Sequence, residues 1–276
     1  MPERELRRVF RKGSRTYFNS SRFFPRAVRE DVSILYGFVR TADDHVDAVP
    51  QRADAFHAFA GSFRAARGGR PSGDPIVDGF AALEKRLGFD PGWADAFLRS
   101  MAMDLEKSRY ESVEETLEYI RGSAEVIGLM MASIMALPPE SHPSAVQLGR
   151  AMQYINFIRD IGEDVRLGRS YLPAREMARY GLRGLGPEDA SRTPEAFRAF
   201  IRAEIGRFRA WQAEAERGFR YLPRRLLVAV RTASEMYKWT ASRIESDPLI
   251  VHRTKVKPSK WRIVAAGLSG ALARKG

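Results

Sequence analysis

The 276-residue chain has no cysteine. That excludes disulfides, thiolate nucleophiles and cysteine metal sites, and it fits a reducing compartment. Histidine is scarce: His45, His57, His142 and His252 are the full set, and their spacing matches no zinc site. The longest nearly uncharged apolar run, VIGLMMASIMALPP at 126–139, falls short of the ~20 residues a bilayer span needs. The amino-terminal MPERELRRVFRKGSR carries charge but no apolar core of signal-peptide length. Alternating strand patterns, internal repeats and low-complexity tracts are missing, as are Walker-type and kinase-type glycine loops. Residues 248–276 contain no acid. These absences lead us to expect a soluble cytoplasmic protein that touches a membrane at most at its surface.

What is present is basic and helical. Lys plus Arg number 46 against 34 Asp plus Glu, a net charge of +12. Such a chain favours anionic partners: nucleic acid, anionic lipid headgroups or phosphorylated small molecules. Apolar residues recur at helical spacing over 28–46, 53–67, 95–107, 113–135, 144–165, 195–219 and 224–244. Gly- and Pro-rich breaks fall at 68–75, 88–93, 137–143 and 181–189. No linker divides the chain, so one all-α domain over 1–276 is expected, with a basic tail from about 248. That tail reads as a solvated end or, alternatively, as a phosphate lid or an anionic-lipid contact.

Two helical segments carry matched acidic stripes. In TADDHVDAVP (41–50), Asp43 and Asp47 lie four apart, on one helix face and about 6 Å apart along the axis. Tyr36 and Arg40 continue the same stripe. In MQYINFIRDIGEDVRLGRSYLP (152–173), Gln153, Asn156, Asp160 and Asp164 form a second stripe, with Glu163 near it. Like charges at this spacing repel by roughly 0.2–0.5 kcal/mol per pair. One such cluster reads first as a solvated face; two, in otherwise apolar helices, point to a ligand. Hard oxygen donors with almost no histidine suit Mg²⁺, which bridges carboxylates to substrate phosphates. His45 reads as an exposed neighbour, while Phe18, Phe23, Phe24, Met130, Met131 and Met135 read as core.

DDHVD at 43–47 followed by NFIRDIGED at 156–164 resembles the squalene and phytoene synthases, the head-to-head prenyl diphosphate synthases. The likeness begins near GSRTYFNSSRFFP (13–25) and continues through GSAEVIGLMM (122–131) to GRSYLP. It extends weakly to MYKWTASRI (236–244) and the basic segment near Arg253. It implies a single-domain isoprenoid-synthase helical bundle around a deep apolar cavity. It also implies Mg²⁺, with Mn²⁺ as the alternative, on Asp43, Asp47, Asp160 and Asp164, supported by Asn156, Glu163 and Asp44. Arg40, Arg159, Ser14 and Arg253 would meet diphosphate. Tyr36 and Gln153 would line the reaction centre, with Tyr171 and Tyr237 closing its polar end.

The implied activity is head-to-head condensation through a cyclopropylcarbinyl diphosphate. The form GEDVRLGRSYLP favours two geranylgeranyl diphosphates giving phytoene, without NADPH. Farnesyl diphosphate giving squalene, dehydrosqualene or presqualene diphosphate is the alternative. Arg121 and Glu125 depart from the family pattern. A non-catalytic assembly factor is a remote alternative, because its aspartates would have eroded. A nucleic-acid binder would have no use for acidic stripes. The basic ends suggest peripheral contact with an anionic membrane, and the oligomeric state is left open.

Overall fold

The structure is a computed structural model that describes residues 21–272. Ser14, Phe18 and the basic amino-terminal residues lie outside the described residues. Thirteen α-helices follow one another, and no strand occurs among the described residues. They are α1 (Arg26–Val46), α2 (Ala53–Arg67), α3 (Pro75–Leu87), α4 (Pro91–Glu106), α5 (Val113–Ile120), α6 (Val126–Ile134) and α7 (His142–Arg166). Then come α8 (Ala174–Arg179), α9 (Pro187–Arg192), α10 (Pro194–Glu216), α11 (Arg224–Ser246), α12 (Ile250–Arg253) and α13 (Lys260–Leu272).

Local chemistry sets several starts. Asp74 caps α3 by accepting from the Ile76 and Val77 amides, and Pro75 supplies the preset first turn. Asp90 and Pro91 repeat the device at α4. The sequence reading missed α3 because the preceding Gly- and Pro-rich break masked its start. It also expected one helix over 113–135. A π-helical turn, Arg121–Glu125, separates α5 from α6 there. Glu125, one of the two departures, is buried in that turn and accepts a 2.6 Å hydrogen bond from Arg150 Nε of α7.

Helices α1 to α4 share an aromatic core. Phe38 stacks on Phe80 at 4.0 Å between ring centres and meets Phe63 at 4.8 Å. Burying each such ring stabilises the fold by about 1.5–3 kcal/mol. Helix α7 is the central strut, packed by α6, α10, α11, α12 and the π-turn. Residues 249–267 are not a solvated tail. Helix α12 packs on α7, α13 packs on α11, and Val251, Val256 and Ile263 are buried. His45 is partly buried rather than exposed, with its ring against Phe59.

Candidate active site

A cavity of about 280 Å³ runs between α1, α6, α7 and α11. Helix α1 contributes Val32, Leu35, Tyr36 and Val39; helix α7 contributes residues from Ser144 to Asn156, with Ser141 just before it. Tyr36, Gln153 and Asn156 form its polar end. Asp43 follows Val39 by one helical turn, and Asp160 follows Asn156 by one turn. Both acidic stripes therefore start where the apolar lining stops. Phe24, expected as core, is in the core and also lines this cavity; Met131 and Met135 line it while packing against the core, and Met130 is core. Phe23 is partly buried against the core. Nothing in the local period distinguishes a side chain facing a cavity from one facing another helix.

Cations already meet the carboxylates. Arg40 Nη1 donates to Asp43 Oδ2 at 2.6 Å and its other nitrogen donates to Asp44. Arg159 Nε donates to Asp160 Oδ1 at 2.8 Å. Lys255 lies 3.1 Å from Asp160 and also donates to Glu163. Burial pushes Asp160 up, but Arg159 and Lys255 outweigh it and hold its carboxyl below the ordinary value. Asp43 and Asp164 are not so compensated. Burial, then repulsion from Asp47, raises Asp43 well above the carboxylate range. Burial, then Asp160 and Asp47, pushes Asp164 up to about 8. The repulsion between Asp47 and Asp164 means that motifs more than a hundred residues apart face one another.

Several participants escaped the sequence reading. Arg169 Nη1 donates to Asp47 Oδ1 at 2.7 Å, and Nη2 donates to the Val46 carbonyl at 2.7 Å. Behind it, buried Asp104 accepts from Tyr119 Oη at 2.6 Å and Tyr171 Oη at 2.7 Å. Burial pushes Asp104 up to about 6, against the pull of those two hydrogen bonds. A signal existed for Asp104: it extends the apolar stripe Phe97, Met101 of α4. Burial raises Tyr36, Tyr119 and Tyr171, so all three phenols remain protonated near neutrality. Tyr237 is buried and couples electrostatically to Tyr36 and Arg159, at the same polar end. Arg253, 61% exposed, pairs with Asp247, and it is Lys255 that reaches the acidic stripe. Asp44 and Glu163 stand at the rim, half-exposed.

The donor set suits a hard divalent cation. It is all oxygen, and Asn156 Oδ1 is buried without a hydrogen-bond partner. Among the described residues no three acidic side chains close on a single point. Asp43, Asp47, Asp160, Asp164 and Asn156 are the residues that would hold the ions.

An all-helical bundle with two facing acidic helices over an apolar cavity defines the class of isoprenoid synthases. The squalene/phytoene synthase family matches residues 10–262, and the chain belongs to that family. It is 29% identical to a 15-cis-phytoene synthase of a Paracoccus species, over 94% of this chain and 91% of that protein. It is 28% identical to the 15-cis-phytoene synthase of Synechococcus elongatus, over 94% of this chain and 88% of that one. Among solved structures, a dehydrosqualene synthase in complex with a ligand superposes with TM-score 0.84 at 21% identity, covering 96% of this chain and 94% of its own. The squalene synthase HpnC from Alicyclobacillus acidocaldarius gives TM-score 0.77 at 23% identity, covering 88% of this chain and 92% of its own.

Proposed function

We propose that the protein condenses two geranylgeranyl diphosphates head to head, giving phytoene and two diphosphates. One observation carries this reading: an apolar cavity that starts at two facing carboxylate stripes and runs far along α7. In the first half, the C1–O bond of one substrate breaks and diphosphate leaves with the electron pair. The double bond of the second substrate attacks that carbon, and loss of a proton closes the cyclopropane. In the second half, the cyclopropylcarbinyl C–O bond breaks, the ring rearranges, and loss of a second proton leaves the hydrocarbon. No reductant is consumed, so NADPH is not required.

Mg²⁺, or Mn²⁺, supplies positive charge against the departing diphosphate when bound by the aspartates. Arg40, Arg159 and Lys255 add fixed cations at the same place, positioned before the charge develops. Tyr36 and Gln153 sit where the reacting carbons meet the polar end, and a protonated Tyr36 offers a neutral hydroxyl there. The apolar lining excludes water that would quench a carbocation. Tyr171, tied with Tyr119 to Asp104, accepts from Arg169 Nη1 at 3.4 Å and so helps hold Asp47 in place.

Peripheral contact with anionic lipid belongs to the same reading. The hydrocarbon product is insoluble, and α13 lies on α11, which lines the cavity. Trp261 of α13 is 83% exposed and Val264 38%, beside exposed Lys260 and Arg262.

The fold relationship to squalene and dehydrosqualene synthases supports a second reading, with farnesyl diphosphate as substrate. Incubation with each prenyl diphosphate and Mg²⁺, with and without NADPH, decides by the hydrocarbon formed. Phytoene from the C20 substrate, unchanged by NADPH, is expected. A C30 product alone overturns the chain-length assignment, and no turnover of either substrate overturns the reaction.

A further inference from the structure

We infer that Ala145 sets the length of prenyl chain that the cavity accepts; this rests on the condensation proposed above. The cavity follows α7 from Asn156 at its polar end to Ser141 at its floor. At 1.5 Å per residue that path is about 22 Å long. An extended covalent chain advances about 1.2 Å per bond, as the extended backbone does. By the same spacing, a C20 prenyl chain is about 19 Å long and a C15 chain about 14 Å. The path therefore takes the longer chain with little to spare.

The floor sets small side chains beside the larger apolar Phe219 and Leu222. Ser144 and Ala145 line it from α7 and Ser141 from the 3₁₀ turn just before it, and Gly218 and Phe219 of a second 3₁₀ turn, Arg217–Tyr221, line it from the other side. That turn presses so closely on α7 that a Cβ on Gly218 would stand 2.3 Å from the Ser144 Cβ. Ser141 Oγ donates to the Pro138 carbonyl at 2.7 Å, which satisfies its hydroxyl away from a hydrocarbon. Ala145 stands eleven residues from Asn156, or about 16 Å along the axis. A larger side chain there leans toward the helix N-terminus, which is the floor, so it fills the last turn of the path and spares the middle. What remains is long enough for C15 and too short for C20. With only a methyl group at 145, the last turn stays open.

The test compares wild type, Ala145→Leu and Ala145→Phe on geranylgeranyl and farnesyl diphosphates, with near-ultraviolet circular dichroism confirming the fold of each. A misfit of even one methylene in an apolar pocket changes kcat/KM by about 10–200-fold. Ala145→Phe is therefore expected to lower kcat/KM for the C20 substrate roughly tenfold or more while changing the C15 value less than about threefold. Ala145→Leu falls between. A folded Phe variant that keeps the wild-type C20 to C15 ratio, or that loses both substrates equally, overturns the assignment. If wild type turns over neither substrate, the proposed reaction fails by itself. Calorimetric binding of unreactive C20 and C15 alkyl diphosphates to wild type and Ala145→Phe then reads the floor without chemistry. Selective loss of C20 binding supports the role of Ala145, and unchanged preference overturns it.

Discussion

Asp43 and Asp160 occupy equivalent places on α1 and α7, each beside an arginine and one turn beyond the cavity lining. If these carboxylates hold the metal, removing one charge is costly to the reaction; it is cheap to the fold at Asp43, whose charge burial disfavours, but not at Asp160, which Arg159 and Lys255 hold. Asp43→Asn or Asp160→Asn is expected to lower kcat by about 10²–10³-fold or more, the scale of losing one preorganised charge-stabilising group. Arg40 keeps Asp44 in the first variant, so the thermal midpoint should stay within a few degrees. Wild-type turnover in either purified variant would remove the metal assignment. Arg169 acts at one remove, gripping Asp47 and the Val46 carbonyl with separate nitrogens. A lysine there is a single point charge and cannot span both. Arg169→Lys is expected to cost about 10–100-fold in activity, as loss of an outer-shell partner does. The Mg²⁺ concentration giving half-maximal rate should rise with it. A merely structural arginine would leave that concentration unmoved.

At the scale of elements, the contact between α7 and α12 is the one that brings Lys255 to the acidic stripe. It depends on Gly162, inside the DIGED motif, where a Cβ would stand 2.6 Å from the Val251 carbonyl oxygen. Gly162→Ala forces α12 outward. We expect a loss of about 1–3 kcal/mol in urea denaturation, the usual cost of overpacking. A weaker affinity for inorganic diphosphate should accompany it, because Lys255 moves with α12. Unchanged stability and affinity would show that the contact yields freely. The glycine thus serves the approach of a second element, a role invisible among its acidic neighbours in the sequence.

The described residues form a helical bundle with a polar end, an apolar interior and an outer helix flanked by cations. No helix among the described residues is long and apolar enough to cross a membrane. Contact with lipid would rest on Trp261, Val264 and the surrounding lysines and arginines, each basic residue contributing about 1 kcal/mol near an anionic surface. The full chain is expected to co-sediment with anionic vesicles at low salt, less at high salt, and weakly with neutral vesicles. Trp261→Ser should reduce binding several-fold without lowering activity on detergent-dispersed substrate. Equal recovery in the supernatant with both lipids at both salts would rule the surface out.

The sequence by itself determined most of the long helices, though not α3 or α13, together with the two acidic stripes and the family. A helical period and a spacing of three or four residues are local properties that burial elsewhere does not change. Asp43, Asp47, Asp160 and Asp164 were legible for that reason. Only the tertiary structure decided that Arg169 grips Asp47, that Asp104 anchors two tyrosines, and that Lys255 rather than Arg253 reaches the stripe. Those pairings join residues far apart in the chain, so no local spacing records them. The same holds for Phe24, Met131 and Met135, which a period marks as buried without saying against what. The depth of the cavity is likewise fixed by where the turn containing Gly218 meets α7, a packing distance between two elements that neither one specifies alone.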